Sequence, residues 1–281
     1  MSSIIIIGGP TASGKSALAL SIAQEKDAVI INADALQIYS AVPILTAQPS
    51  AADKAQVPHR LYGVLEADQQ CSVGRWLGLA REAIDATLTK GRTPIIVGGT
   101  GLYLKSLIKG IPAIPAIDET VRQEARLLHS SMGGVAFHQL LTVRDPVMAA
   151  RLHPSDSQRL MRAYEVIVQT GRSLAMWQQD PVERFYDARQ FQCQLLLPPR
   201  ERLYDQCNKR FLLMLEQGAL DEVKALAGFD ASAPALKAIG VKELRAVLEE
   251  KITMEEAIIA AQTATRHYAK RQVTWFRHQT L

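Results

Sequence analysis

The sequence predicts an α/β fold, a parallel sheet flanked by helices and interrupted by an all-helical insertion. Three observations predict it. Short apolar, β-branched runs recur at the spacing of parallel strands, helical patterns fill the gaps between them, and a glycine-rich loop follows the first run, where such a sheet gathers its ligand. The strand runs are Ile4 to Ile7, Val29 to Asn32, Ile95 to Val97 and Gln194 to Leu197.

The first run leads into Gly9-Pro-Thr-Ala-Ser-Gly-Lys15-Ser16, which meets the pattern G-x-x-x-x-G-K-[ST] at every defined position. Ala17-Leu18-Ala19-Leu20 then supplies a helix-forming stretch. Strand, loop and helix together make the sheet P-loop NTPase-like. Gly9 and Gly14 permit backbone conformations that a side chain would forbid, so consecutive N–H groups and the helix N-terminus can converge on one anion. Lys15 adds a point charge, and the Ser16 hydroxyl is placed to ligate Mg2+. The second run opens into Asn32-Ala-Asp34-Ala-Leu-Gln37 and the third into Gly98-Gly-Thr-Gly-Leu-Tyr103, so polar residues collect at the carboxyl ends of the strands.

Between these runs, Gly74 to Lys90 places Trp76, Leu77, Ala80, Ala83, Ile84 and Leu88 near one helical face. Residues 118–190 change character: helical patterns dominate, and every lysine or arginine in the stretch is arginine. That segment is an insertion between core segments 1–117 and 191–281. Arginine forks bind phosphates and stack on bases, yet acidic residues accompany these arginines, and an ordinary solvated helix pair fits the composition equally well. After Pro198-Pro199, Arg200 to Gln217 reads as a helix stopped by Gly218, and Thr253-Met-Glu-Glu256 has the form of a capping box opening the last helix. That helix begins acidic and ends basic, through Arg266, Lys270, Arg271 and Arg277, with Trp275 and Phe276 interleaved. Complementing the helix dipole and packing the core account for most of these residues.

At 281 residues and 48% hydrophobic, the chain can bury a substantial core. A charge of +4 and a pI near 9.0 permit a nucleic-acid partner without requiring one. Cys71, Cys193 and Cys207 are odd in number and without C-x-x-C spacing, which indicates neither a disulfide framework nor a zinc site. No basic leader or cleavage site precedes the first strand, and no apolar run approaches the roughly 18 residues of a membrane span. A monomer in the cytoplasm, with no membrane partner, is expected.

A small-molecule P-loop kinase would begin with the same strand, loop and helix. Two features count against one. Where P-loop NTPases often end a later strand in an acidic Mg2+ partner, Ile95-Ile-Val97 runs into Gly98-Gly-Thr100 and offers a hydroxyl. Asp34 stands alone at the end of the second strand, where it can act on a second substrate or simply make a turn. A nucleic-acid-binding module without catalysis is the third possibility.

Six segments in order carry a resemblance over nearly the whole chain: Gly9 to Ser16, Asn32 to Tyr39, Gly98 to Tyr103, Gln158 to Arg162, Ala238 to Glu243 and Lys270 to Arg277. Together they resemble the tRNA dimethylallyltransferase family. Ala35, where the family usually has serine, and Val241, usually an aromatic, are departures. The resemblance implies that Gly9, Thr11, Ala12, Ser13, Gly14, Lys15, Ser16 and Arg210 hold the diphosphate of dimethylallyl diphosphate, with Mg2+ near Ser16. It implies Asp34 as the general base for the N6 amine of the adenosine 3′ of the anticodon, and Thr100 lining the channel where the substrates meet. It further implies contacts to the tRNA anticodon stem-loop from Asp34, Ala35, Leu36, Gln37 and Thr100, and from Arg122 and the segment Gln158, Arg159, Leu160, Met161, Arg162. The segment Lys237, Ala238, Ile239, Gly240, Val241, Lys242 completes that set, and the helical insertion becomes the tRNA-binding domain. Gln37, whose amide offers both donor and acceptor, suits the edge of adenine.

Overall fold

The computed structural model describes residues 3–182 and 184–279. The chain divides into two compact units, one formed by Met1–Lys109 with Arg184–Leu281 and the other by Gly110–Glu183. In chain order the elements are β1 (Ile4–Gly8), α1 (Lys15–Glu25), β2 (Ala28–Asn32), α2 (Ala51–Gln56), β3 (His59–Arg60), α3 (Val73–Thr89), β4 (Thr93–Gly98) and α4 (Gly101–Lys109). The second unit holds α5 (Glu119–Arg144), α6 (Pro146–Ala149), α7 (Ser157–Thr170) and α8 (Leu174–Trp177). The first unit resumes with β5 (Phe191–Leu195), α9 (Arg200–Glu216), α10 (Ala219–Ala225), α11 (Val241–Leu248) and α12 (Met254–His278).

The strands form one parallel sheet in the order β3-β2-β4-β1-β5. Every residue of β1 and β2 is buried, as a parallel sheet covered on both faces requires. Register places Gly8 beside Gly98 and Asn32 beside Val97, so the loops after β1, β2 and β4 emerge together. The fifth strand lies at residues 191–195, three residues before the run expected from sequence. Its Gln192, Cys193 and Gln194 are exposed on the sheet edge, so it lacks the continuous apolar run that marks β1 and β2, and the Leu195-Leu-Leu run begins only as pairing with β1 ends. β3 carries two polar residues and gave no sequence signal.

Two helices fix the loops. α3 buries Trp76, Leu77, Ala80 and Ile84; the Trp76 indole donates to the Asn32 carbonyl at 2.9 Å and stacks on Tyr103 at 4.4 Å. α12 opens with the expected capping box, the Thr253 hydroxyl accepting from Glu256 N and the Glu256 carboxylate accepting from Thr253 N. Its buried face is Ala257, Ala261, Thr265, Ala269, Gln272 and Phe276, small enough over its first turns for close helix packing.

Within the second unit, α5 bends at Gly133, whose φ of 77° only glycine adopts readily. Phe137, Leu141, Leu160, Tyr164 and Val166 form its core, and the Tyr164 hydroxyl donates to Glu124 at 2.8 Å. Arg172 grips Asp180 through two bonds of 2.6 and 2.7 Å and lies 4.6 Å from the Trp177 ring. Among the described residues no helix is long and apolar enough to cross a membrane.

Candidate active site

The loop after β1 wraps as its sequence predicts. Gly14 takes φ 91°, in the left-handed region, and Ala12 takes 61° at a cost of about 1–2 kcal/mol. At Gly9 a side chain would strike the Leu196 carbonyl. α1 begins at Lys15, so its N-terminal amides face the loop. The Lys15 ammonium donates to the Pro10 carbonyl at 2.6 Å. Burial pushes its pKa down from 10.5 to about 8; the Asp34 carboxylate opposes that shift and Arg210 adds to it. Arg210, from α9, is itself pushed down by burial and donates to the Thr11 hydroxyl. Two cations are thus held close together in a desolvated cradle, which suits a multiply charged anion.

Asp34 is positioned from below and from beside. Buried Asn32 accepts from Asp34 N at 2.8 Å and donates to the carbonyls of Asp34 and Leu61, each at 3.0 Å. Asp34 Oδ1 accepts from Leu36 N at 2.9 Å and Gln37 N at 3.4 Å, the turn its isolated position allowed for. Oδ2 accepts from no donor among the described residues. Thr100 is brought to the same place, its hydroxyl accepting from Ala35 N at 2.9 Å. Turn and acid are therefore not exclusive readings of Asp34, since the turn uses one oxygen and leaves the other.

Two recesses meet here, sharing Thr11, Asp34, Thr46 and Arg210. One is lined by the loop residues Ala12 to Ser16 with Gly98, Gly99 and Tyr62. The other has walls of Leu36, Leu45, Phe211, Met214, Ile239 and Tyr268. Tyr62 and Tyr268 have their pKa values raised by burial and then by Asp34, so both present neutral phenols. A cationic phosphate-sized cradle opens onto an apolar chamber, with one carboxylate oxygen at the join. Among the described residues no cluster of His, Cys, Asp and Glu makes a metal site. The exposed Ser16 hydroxyl, at the first turn of α1, fits the single protein ligand that Mg2+ takes when substrate phosphates and water complete its shell.

The IPP transferase profile matches residues 37–279 and the Isopentenyl transferase profile residues 2–69. The chain belongs to the IPP transferase family. A tRNA dimethylallyltransferase of Rhodospirillum centenum is 49% identical over 98% of this chain and 88% of its own length, and that of Paramagnetospirillum magneticum 50% over 99% and 88%. Among solved structures, the full-length tRNA isopentenylpyrophosphate transferase of Bacillus halodurans is similar with a TM-score of 0.69 and 33% identity, covering 100% of this chain and 88% of that one. A eukaryotic dimethylallyltransferase acting on tRNA gives a TM-score of 0.80 at 27% identity, over 98% and 70%.

Of the residues that the IPP transferase resemblance picked out, the first unit gathers Thr11 to Ser16, Asp34, Leu36, Thr100 and Arg210 around the recesses, with Ala238 and Ile239 on the apolar wall and Gly9 behind the loop against Leu196. Gln37 needs correction: its amide nitrogen donates to the Thr46 and Ala47 carbonyls at 2.9 and 2.8 Å, which leaves the carbonyl oxygen for a ligand and no donor. Val241 and Gly240 are buried, Val241 in the core of the first unit, so outward contact in that segment falls to exposed Lys237 and Lys242. In the second unit Leu160 is fully buried and Met161 packs against the core, while Gln158 and Arg159 are exposed. Arg159, Arg162 and Arg122 sit 3.8, 3.5 and 3.8 Å from Asp156, Glu165 and Glu119, loose pairs worth about 0–1 kcal/mol that a phosphate can displace.

Sequence reading missed three supports. Asn32 stands in the sequence as a strand end leading into a polar segment, with no sign that its side chain anchors Asp34 and the Leu61 carbonyl. Glu222, its pKa raised by burial, accepts from Ile44 N at 2.6 Å and Leu45 N at 2.9 Å, holding the loop whose carbonyls bind Gln37. Gln272 lies on the buried face of α12, and a polar residue four positions before the apolar Phe276 was the available signal.

Proposed function

We propose that this chain transfers a dimethylallyl group from dimethylallyl diphosphate to N6 of the adenosine 3′ of the anticodon, in tRNAs reading codons that begin with U. The observation that carries the reading is the join of the two recesses at Asp34, where Oδ2 meets no donor among the described residues while Asn32, Leu36 and Gln37 fix the rest of the group. In this reading the cradle of loop amides, Lys15 and Arg210 takes the donor's diphosphate. Mg2+, held by Ser16 and diphosphate oxygens, would add positive charge against the departing group.

The adenine, swung out of its stack, enters through the apolar chamber. The N6 lone pair attacks the allylic carbon, the carbon–oxygen bond breaks, and diphosphate leaves with the bonding electrons into the cationic cradle. Asp34 Oδ2 accepts the N6 proton as the new bond forms, which the conjugated amine needs in order to act as a nucleophile. Thr100 holds Ala35 and so the start of the turn. The second unit, with Arg122, Gln158, Arg159 and Arg162 on its surface, would grip the anticodon stem-loop, and a single copy in the cytoplasm would suffice.

The test is diphosphate release from dimethylallyl diphosphate in the presence and absence of unmodified tRNA. Release that requires tRNA supports the reading; release from ATP with no response to tRNA would return the loop to kinase chemistry.

A further inference from the structure

The loop after β1 and the loop after β4 come from different strands, yet one side chain ties them together. Gln272 of α12 is 6% exposed; its Oε1 accepts from Thr11 N at 2.7 Å and its Nε2 donates to the Gly99 carbonyl at 2.9 Å. The two bonds fix which way the amide points, since neither oxygen nor nitrogen could replace the other. At Gly99 a side chain would collide with this amide nitrogen, and at Gly101 one would enter the Trp275 ring. At Gly8 a side chain would come within 3.1 Å of Phe276. Gly99 and Gly101 therefore leave the space that Gln272 and Trp275 of α12 fill, and Gly8, at the end of β1, leaves room beside Phe276.

Thr11 links this contact to the cradle. Its N–H is held by Gln272 and its hydroxyl by Arg210, while Gly99 precedes Thr100, which holds Ala35 beside the Asp34 turn. We infer that Gln272 is a positioning residue for the diphosphate cradle, setting the spacing between the two loops from outside the substrate chamber. It lines neither recess and so acts only through Thr11 and Gly99. The inference rests on the prenyl-transfer reading only for the identity of the donor.

Two variants separate positioning from bulk packing. Gln272→Met keeps the shape and loses both bonds. Gln272→Glu keeps an acceptor for Thr11 but can donate to Gly99 only when protonated. The probe is inorganic diphosphate, titrated by calorimetry into the full chain with Mg2+, alongside KM for dimethylallyl diphosphate and for tRNA.

With Gln272→Met, the Kd for diphosphate and the KM for the donor should both rise about tenfold, the effect of a lost buried hydrogen bond, while the KM for tRNA stays within about twofold. With Gln272→Glu, the Kd ratio to wild type should shrink as the pH is lowered from about 8 to about 6, because burial raises a carboxyl's pKa and the protonated group regains its donor. An unchanged Kd in both variants, or both KM values rising together with no pH-dependent recovery, would overturn the inference. Wild-type protein that binds diphosphate but leaves tRNA unmodified would instead refute the prenyl-transfer reading, and the Kd comparison would still decide the role of Gln272.

Discussion

Replacing Lys15 by methionine should make the ligand-free protein more stable. The fall of the Lys15 pKa from 10.5 to about 8 corresponds to about 3 kcal/mol spent holding a charge whose hydration the surrounding protein restricts. Methionine removes the charge but also the 2.6 Å bond to Pro10, worth about 1 kcal/mol, which leaves a gain of about 2 kcal/mol. For a chain of this size that is a rise of about 3 °C in melting midpoint. The sign follows from proton binding. Below pH 8 both folded and unfolded chains carry the charge and the full penalty applies; from 8 to 10.5 the folded chain loses its proton first and the penalty fades. The advantage of Lys15→Met should therefore be complete at pH 7 and absent near 10.5. Saturating diphosphate should invert the order, since wild type gains about 2.7 kcal/mol at a hundredfold excess over Kd and the variant does not. Scanning calorimetry at both pH values, with and without diphosphate, measures each arm. A lower midpoint for the variant at pH 7, or a gain undiminished at pH 10.5, would refute the picture of a strained, buried cation awaiting an anion.

Wild-type affinity for inorganic diphosphate should fall as the pH rises through about 8, where Lys15 loses its proton, and calorimetric titration between pH 7 and 9 checks this. Asn32→Ala, which frees Asp34 from its anchor and orphans the Leu61 carbonyl, should lower kcat more than tenfold and stability by about 1–3 kcal/mol, read by steady-state kinetics and denaturant titration. Gly101→Ala forces a methyl group into the Trp275 ring and should cost about 1–3 kcal/mol, measured the same way. Arg159→Ala combined with Arg162→Ala should raise the KM for tRNA while leaving diphosphate affinity unchanged.

Much of the catalytic core was legible because its chemistry constrains sequence locally. A loop that must bend at Gly9 and Gly14 and carry Lys15 can be recognised without its surroundings, and so can the polar turns after β2 and β4. Less legible were features defined by partners distant in sequence. β5 hides because an edge strand that exposes Gln192, Cys193 and Gln194 needs no continuous apolar run, and β3 because its two residues take their order from Ile30 and Ile31. Gln272 meets Thr11 across 261 positions and Glu222 meets Ile44 across 178, so no spacing rule joins them. Leu160 and Val241 show the opposite limit. Segments chosen by resemblance include side chains that serve the core, and only burial distinguishes them from their exposed neighbours.

The most direct measurement is the mass of the nucleosides in unmodified tRNA after incubation with the protein and Mg2+, with dimethylallyl diphosphate in one reaction and ATP in the other. A junction of diphosphate cradle, apolar chamber and Asp34 built for prenyl transfer predicts an adenosine heavier by one dimethylallyl group, at the position 3′ of the anticodon, with the prenyl donor only. Unmodified adenosine in both reactions, with ATP turned over, would contradict it.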